Sequence, residues 1–423
     1  MPNAAIKLVK QWEFELGFGM HGEILVICLF CVATAVALLA RWLKVPYTVA
    51  LVVAGLLLGL VRIEGIGSPH LTKELLYTVF LPGLVFEAAF HLDLEKYWQN
   101  KIAIHALAIP GVAMAIGSTA LLLQLPLHAL HLVDGFSLKY ALIFAALISA
   151  TDPIAVVALF RSLGAPKRLV VLIEAESLLN DGTAVVFFTL ILAMVSGTGY
   201  SPLQAVLDFV RMIGLGTLLG LGIGFVASRL GRHVDDPMLE IMLTTLAAYG
   251  SFVLAEQLHL SGIIATVAAG MVCGQRSARS DANPATRIAL QSFWEYVAFA
   301  LNSIVFLLIG FEVHSAALLG SWRVILAAYV AVLIGRALLI CLVTLLLRRT
   351  REAMPWSWSA ILTWGGLRGA LSMVLVLALP SDFPFRESLV TMTFGVVVLS
   401  LIVQGLSIER VLHRLGLESS PSE

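Results

Sequence analysis

The 423-residue chain is 59% hydrophobic and only 13% charged, with 27 basic and 27 acidic side chains and a formal net charge of zero. Soluble domains carry roughly 25% charged residues. This composition, with a mean hydropathy of +0.95, therefore excludes a soluble domain and makes the lipid bilayer the chain's environment. The neutral balance and the lack of basic runs argue against a nucleic-acid partner.

Thirteen apolar segments follow one another near 23–40, 46–61, 74–90, 102–123, 138–160, 168–195, 203–230, 238–258, 261–274, 289–310, 319–347, 356–379 and 388–408. They are numbered one to thirteen here. Helices are the expected form, since a sheet of this length would need alternating polarity and a closed barrel. The first run precedes Arg41 and Lys44, the reverse of a cleaved signal peptide, so it reads as a retained span. Cys28, Cys31, Cys273 and Cys341 all lie inside apolar runs and imply no disulfide framework.

Basic residues gather after segments one, five, seven, nine and eleven: Arg41/Lys44, Arg161/Lys167/Arg168, Arg229/Arg232, Arg276/Arg279/Arg287 and Arg348/Arg349/Arg351. The intervening loops hold few, such as Arg62 and Lys73. The positive-inside rule then puts those loops and the C-terminus in the cytoplasm and the N-terminus outside, in a multi-pass protein of the cell (inner) membrane. The expected layout is a first half over 23–195, a linking helix over 203–230, a second half over 238–410 and a short tail over 411–423. Segment seven carries Gly214, Gly216, Gly220, Gly222 and Gly224, a small-residue ridge that suits close helix packing.

Two segments contain breaks. Segment five holds Thr151-Asp152-Pro153, and Pro153 biases Asp152 away from helix. Segment twelve holds Thr363-Trp-Gly-Gly-Leu-Arg-Gly369. Each is the fifth span of its half, and paired interruptions at corresponding positions point to an inverted-repeat transporter with discontinuous helices. The fold expected is an all-α polytopic membrane protein of about thirteen spans in two inverted six-helix repeats.

Buried charge costs on the order of 3 kcal/mol or more per residue at mid-membrane, so Asp152, Glu174, Glu176 and Asp181 require a use. On segment six Ser177 and Asp181 share one face, while Glu176 and Asn180 share the adjacent one, about 100° round. A hydroxyl above a carboxylate supplies part of a coordination shell for a hard cation. The Glu176/Asn180 stripe suits support, and Arg336, deep within segment eleven, is the natural partner for a buried carboxylate. Glu87 follows a Pro82-Gly83 bend in segment three, and either faces the site or is solvated at the membrane edge. At the breaks, Arg368 is placed to face the carbonyls of a half-helix C-terminus and Asp152 the half-helix N-termini.

The runs SATDPIAVVALF, IEAESLLNDGTAVV, LAEQLHLSGIIATVAAGMVCG and TWGGLRGALS closely resemble the NhaP/NHE-type monovalent cation–proton antiporters, with order and spacing preserved from about segment three to segment thirteen. The resemblance implies a homodimer, a mobile core bundle with two crossed, unwound helices, and exchange of Na⁺ (or Li⁺ or K⁺) for H⁺. It makes Asp181 the essential carboxylate. Asn180 stands where electrogenic relatives carry Asp, which implies electroneutral exchange. Ser177, Thr151 and Glu87 match positions that help coordinate the cation, with Asp152 beside them. Glu176 matches the acid paired with an Arg, here Arg336, and Asp152 and Arg368 match the residues at the helix crossing. The Glu174-Ala175 pair departs from the Gly that often precedes the ESLLND run, a small change.

The function expected is therefore electroneutral Na⁺/H⁺ antiport, with cation and proton competing for Asp181. No cofactor is expected, since Na⁺ and H⁺ are substrates. A channel and an intramembrane enzyme are the alternatives, but the sequence contains no selectivity-filter run of the TVGYG kind and no compact catalytic motif such as HExxH.

Overall fold

The computed structural model describes residues 20–43, 45–61, 76–197, 201–233, 236–278, 283–312 and 315–417. Lys44, Arg62, Lys73, Arg279 and the tail beyond 417 lie outside the described residues. Among the described residues, all thirteen apolar segments are helical. Segments one and two are Met20–Leu43 and Tyr47–Val61, segment six is Lys167–Val195, and segment seven is Pro202–Gly231. Segments eight to eleven are Pro237–Gln257, Gly262–Ala278, Pro284–Glu312 and Trp322–Leu347. Seven of the described spans are continuous and apolar enough to cross a membrane unaided; the rest are shorter or broken.

Segments five and twelve are each two helices. The first is Leu138–Leu147 then Ile154–Ser162, and the second is Trp356–Trp364 then Ala370–Leu377. Three further segments carry a π-turn, at Leu76–Phe80 in segment three, Leu107–Gly111 in segment four and Ser400–Gln404 in segment thirteen. The one in segment four encloses Pro110, whose ring would clash with the carbonyl four residues back in a regular helix. In this widened turn the Ala108 carbonyl accepts from Thr183 Oγ1 at 2.6 Å. In segment three the widened turn stands just ahead of Pro82-Gly83, the position at which a bend is expected.

The two halves make the same contacts with their roles exchanged. Segment two packs on segment ten as segment nine packs on segment three, and segments four and eleven pack on each other. Glycines set the close approaches. Gly55 and Gly59 lie against the backbone of Leu307–Phe311, and Gly270 and Gly274 lie against the backbone at Phe86 and Phe90. The same GxxxG spacing thus falls on the second span of each half, a residue-level mark of the repeat within an otherwise divergent pair.

The segment-seven ridge is helix–helix contact. Gly216, Gly220 and Gly224 face Ser261, Ala265 and Ala269 of segment nine, whereas Gly214 and Gly222 face open space. A side chain at Gly220 would strike the Ala265 carbonyl oxygen. We expect Gly220→Ala to lower the melting temperature in detergent by an amount worth about 1–3 kcal/mol, the usual cost of overpacking. Gly222→Ala should leave it unchanged or raise it slightly, because alanine is the better helix former. Equal behaviour of the two variants would refute this account of the ridge.

Candidate functional site

The site lies where the two broken segments cross. Pro153 and the glycines of 365–369 stop the helices there, and the crossing backbones bond directly, Asp152 N–H donating to Leu367 O at 2.8 Å. Glycine is required by contact at two positions: a side chain at Gly366 would overlap the Arg336 guanidinium, and one at Gly369 would overlap Asp152.

Each break leaves carbonyls without intrahelical partners. Arg368, 5% exposed, donates through Nη1 to Ser149 O at 2.8 Å and Ala150 O at 3.1 Å, at the end of the first half of segment five. Asp152 occupies the opposite dipole end. Its Oδ1 accepts from Ile154 N–H at 3.0 Å, at the start of the second half, and its carboxylate lies against Gly369, which caps Ala370–Leu377. Arg368 thus meets a half-helix C-terminus and Asp152 two N-termini, the complementary arrangement for helix dipoles.

Segment six supplies the remaining groups. Asn180 Nδ2 faces three acceptors, Ser149 O at 3.1 Å, Thr151 Oγ1 at 3.2 Å and Glu176 Oε1 at 3.4 Å. Ser177 Oγ donates to Thr151 O, and Thr151 Oγ1 lies 3.3 Å from Ser177 Oγ. Glu176 and Arg336 form a two-pronged ion pair, with Nη1 at 3.2 Å from Oε1 and Nη2 at 3.1 Å from Oε2. They are 2% and 5% exposed. Arg336 Nε also donates to Leu362 O at 2.9 Å, at the segment-twelve break.

Among the carboxylates at the crossing, Asp181 stands apart. Its Oδ1 is buried without a hydrogen-bond partner among the described residues. It opens onto a cavity of about 280 Å³ lined also by Thr151, Asp152, Ser177, Asn302 and Glu87. Glu87 is half-buried rather than at a solvated edge. Its carboxylate lies 3.2 Å from His91 Nδ1, one turn on along the chain. The same cavity reaches Arg161 and Glu174, which form an ion pair with the Arg161 side chain largely exposed. It therefore joins the buried Asp181 to the end of the molecule that carries Arg161.

The crossing therefore brings together Thr151, Asp152, Glu176, Ser177, Asn180, Asp181, Arg336 and Arg368, with Glu87 further along the cavity wall. Glu174 stands apart from the other segment-six acids, held by Arg161. The sequence reading missed three neighbours. His91 carried a signal, since it falls four residues after Glu87 on one helical face. Asn302, buried in segment ten, was visible as a mid-span amide. The Arg161–Glu174 pair had none, because it depends on how two separate segments dock.

The sequence matches the family described as sodium/hydrogen exchanger, transmembrane, over residues 26–414. It is 38% identical to the Na⁺/H⁺ antiporter ApNhaP of Aphanothece halophytica over 91% of this chain and 73% of that protein. It is 37% identical to the Na⁺/H⁺ antiporter NhaP of Pseudomonas aeruginosa over 89% of this chain and 92% of that one. The fold is similar to the solved sodium proton antiporter MjNhaP1 of Methanocaldococcus jannaschii, with a TM-score of 0.78 at 17% identity, covering 94% of this chain and 99% of that structure. The chain, from its broken crossing helices to its matched sequence, belongs to the transmembrane sodium/hydrogen exchanger family.

Proposed function

We propose that this protein is an electroneutral Na⁺/H⁺ antiporter in which the cation and the proton compete for Asp181. The observation that carries the reading is the carboxylate oxygen of Asp181, buried and unpartnered among the described residues, on the wall of a cavity lined also by the largely exposed Arg161. A carboxylate held in that way binds a cation or a proton, and each disfavours the other. Thr151, Ser177 and Asp152 line the same cavity and would supply further oxygens, with Glu87 on the way in. Na⁺ is the proposed cation, as in the names of the relatives, with Li⁺ and K⁺ the competitors to rank against it.

The charge balance supports one-for-one exchange. The crossing holds three carboxylates, Asp152, Glu176 and Asp181, and two guanidinium groups, Arg336 and Arg368. With all of them ionised, one negative charge is left over, and a single Na⁺ or a single proton cancels it. Asn180 adds no charge of its own. His91 provides Glu87 with a partner, so that Glu87 need not carry a transported proton.

In the working cycle, the core segments around the crossing move relative to the rest and expose the occupied site to each side in turn. We place the chain as a homodimer in the cell membrane, with the N-terminus outside and the C-terminus cytoplasmic. The two halves would run over 23–195 and 238–410 around the linking helix 203–230. The cavity that reaches Arg161 then faces the cytoplasm, on the positive-inside rule.

Proteoliposomes with an imposed Na⁺ gradient and an internal pH dye test the reading. The unsubstituted protein should move protons against Na⁺, and Asp181→Asn, which keeps shape but removes the titrating charge, should abolish exchange while the protein remains folded. Full transport by that variant would refute the proposal. The initial rate should also be the same at zero and at about −100 mV, a potential worth about 2.3 kcal/mol per net charge moved. A strong voltage dependence would mean a second transported charge, with Glu87 the first suspect. Glu176→Gln or Arg336→Gln should each lower stability by about 3–5 kcal/mol, because either leaves a buried charge uncompensated. The double variant should recover part of that loss, and simple additivity of the two melting-temperature shifts would show that the pair is not coupled.

A further inference from the structure

The two breaks are built alike but are held from different helices. At the segment-five break, the carbonyls of Ser149, Ala150 and Thr151 are met by Asn180 and Ser177 of segment six and by Arg368. At the segment-twelve break, the groups freed after Trp364 are met from segment thirteen. Gln404 Nε2 donates to Trp364 O at 3.0 Å, Arg368 N–H donates to Ser400 Oγ at 3.1 Å, and the Trp364 indole donates to Ser407 Oγ at 2.8 Å. Ser400 Oγ donates in turn to Val397 O at 2.8 Å, so the hydroxyl both accepts and donates.

Ser400 and Gln404 are the first and last residues of the segment-thirteen π-turn. Such a turn holds one residue more than an α-helical turn and turns the following face by about 100°. Both side chains are buried, and neither lines the Asp181 cavity. Arg368 is a side-chain link between them and it. The Arg368 backbone is fixed by Ser400, and the Arg368 guanidinium holds Ser149 and Ala150, the residues immediately before Thr151.

We propose that Ser400 and Gln404 are positioning residues for cation binding: the π-turn clamps the segment-twelve break, and the clamped break holds Arg368 on the segment-five carbonyls that shape the Asp181 site. This rests on Asp181 being the cation site. An unsatisfied Trp364 carbonyl or a loose Arg368 backbone lets the guanidinium shift, and the stretch 149–151 then loses its fixed place beside Ser177. Cation affinity should suffer before the maximal rate does, because the titrating carboxylate is untouched.

The test measures Na⁺-dependent thermal stabilisation of the full chain in detergent at alkaline pH, together with Na⁺ KM and maximal rate in proteoliposomes. A ligand that binds only the folded state stabilises it according to its concentration relative to Kd, so the Na⁺ midpoint reports affinity without requiring transport. Ser400→Ala and Gln404→Leu should each raise that midpoint and the KM by about tenfold, the scale of one lost buried hydrogen bond, with little change in maximal rate. In protein carrying Arg368→Lys, neither should raise the midpoint further. A lower melting temperature with an unchanged Na⁺ midpoint and KM would overturn the proposal, because that is what plain packing predicts. Additive increases on top of Arg368→Lys would overturn it too. If Ser400→Ala does not fold, Gln404→Leu carries the same comparison, since it leaves the Ser400 bond in place. Absence of Na⁺ stabilisation in the unsubstituted protein and in Asp181→Asn alike would refute the cation-site reading, and this inference with it.

Discussion

Two helices that stop inside a bilayer leave carbonyl and N–H groups without intrahelical partners, and each such group left unsatisfied costs several kcal/mol. The rest of the core is arranged around that constraint. Asp152 and Leu367 satisfy one another across the crossing, and Arg368 takes two carbonyls of the broken segment five. Arg336 takes one at segment twelve while holding Glu176. Arg336 and Arg368 thus each serve backbone carbonyls, whatever their further role.

That backbone requirement sets the electrostatics. Two guanidinium groups are needed at the two C-terminal ends, so carboxylates must accompany them in a medium where charge is expensive. Glu176 answers Arg336 in a closed pair. Asp152 answers the half-helix N-termini. Asp181 is the remainder, a carboxylate with an oxygen left free and an open cavity before it. Under the proposed exchange, the transported ion supplies the one positive charge that the scaffold leaves out.

Packing keeps the crossing in register. Gly55 and Gly59 on one side and Gly270 and Gly274 on the other bring helix backbones into contact in the two halves, and close approach of this kind is what holds helices together where lipid removes the hydrophobic drive. The π-turns add local corrections, one accommodating Pro110 and one bringing Ser400 and Gln404 to the segment-twelve break.

Hydropathy alone delivered thirteen segments, because a bilayer imposes a length and an apolarity on each span. The breaks were legible for an equally local reason: Pro153 and the 365–369 glycines act on their own backbone wherever they lie. Helical spacing put Ser177 with Asp181 and Glu176 with Asn180 because neighbours on one helix are fixed by its pitch. The Glu176–Arg336 pairing was open to anticipation because a buried carboxylate needs a cation, and Arg336 stands far from either end of its span. Other features depended on docking. The Arg161–Glu174 pair, the hold of Ser400 and Gln404 on the segment-twelve break, and the Gly55/Gly270 correspondence join residues from separate segments. No one-dimensional pattern fixes the distance between such segments. Sequence determines what each helix can offer; only the packed structure decides which offer meets which need, because buried polar groups are satisfied across helices rather than along them.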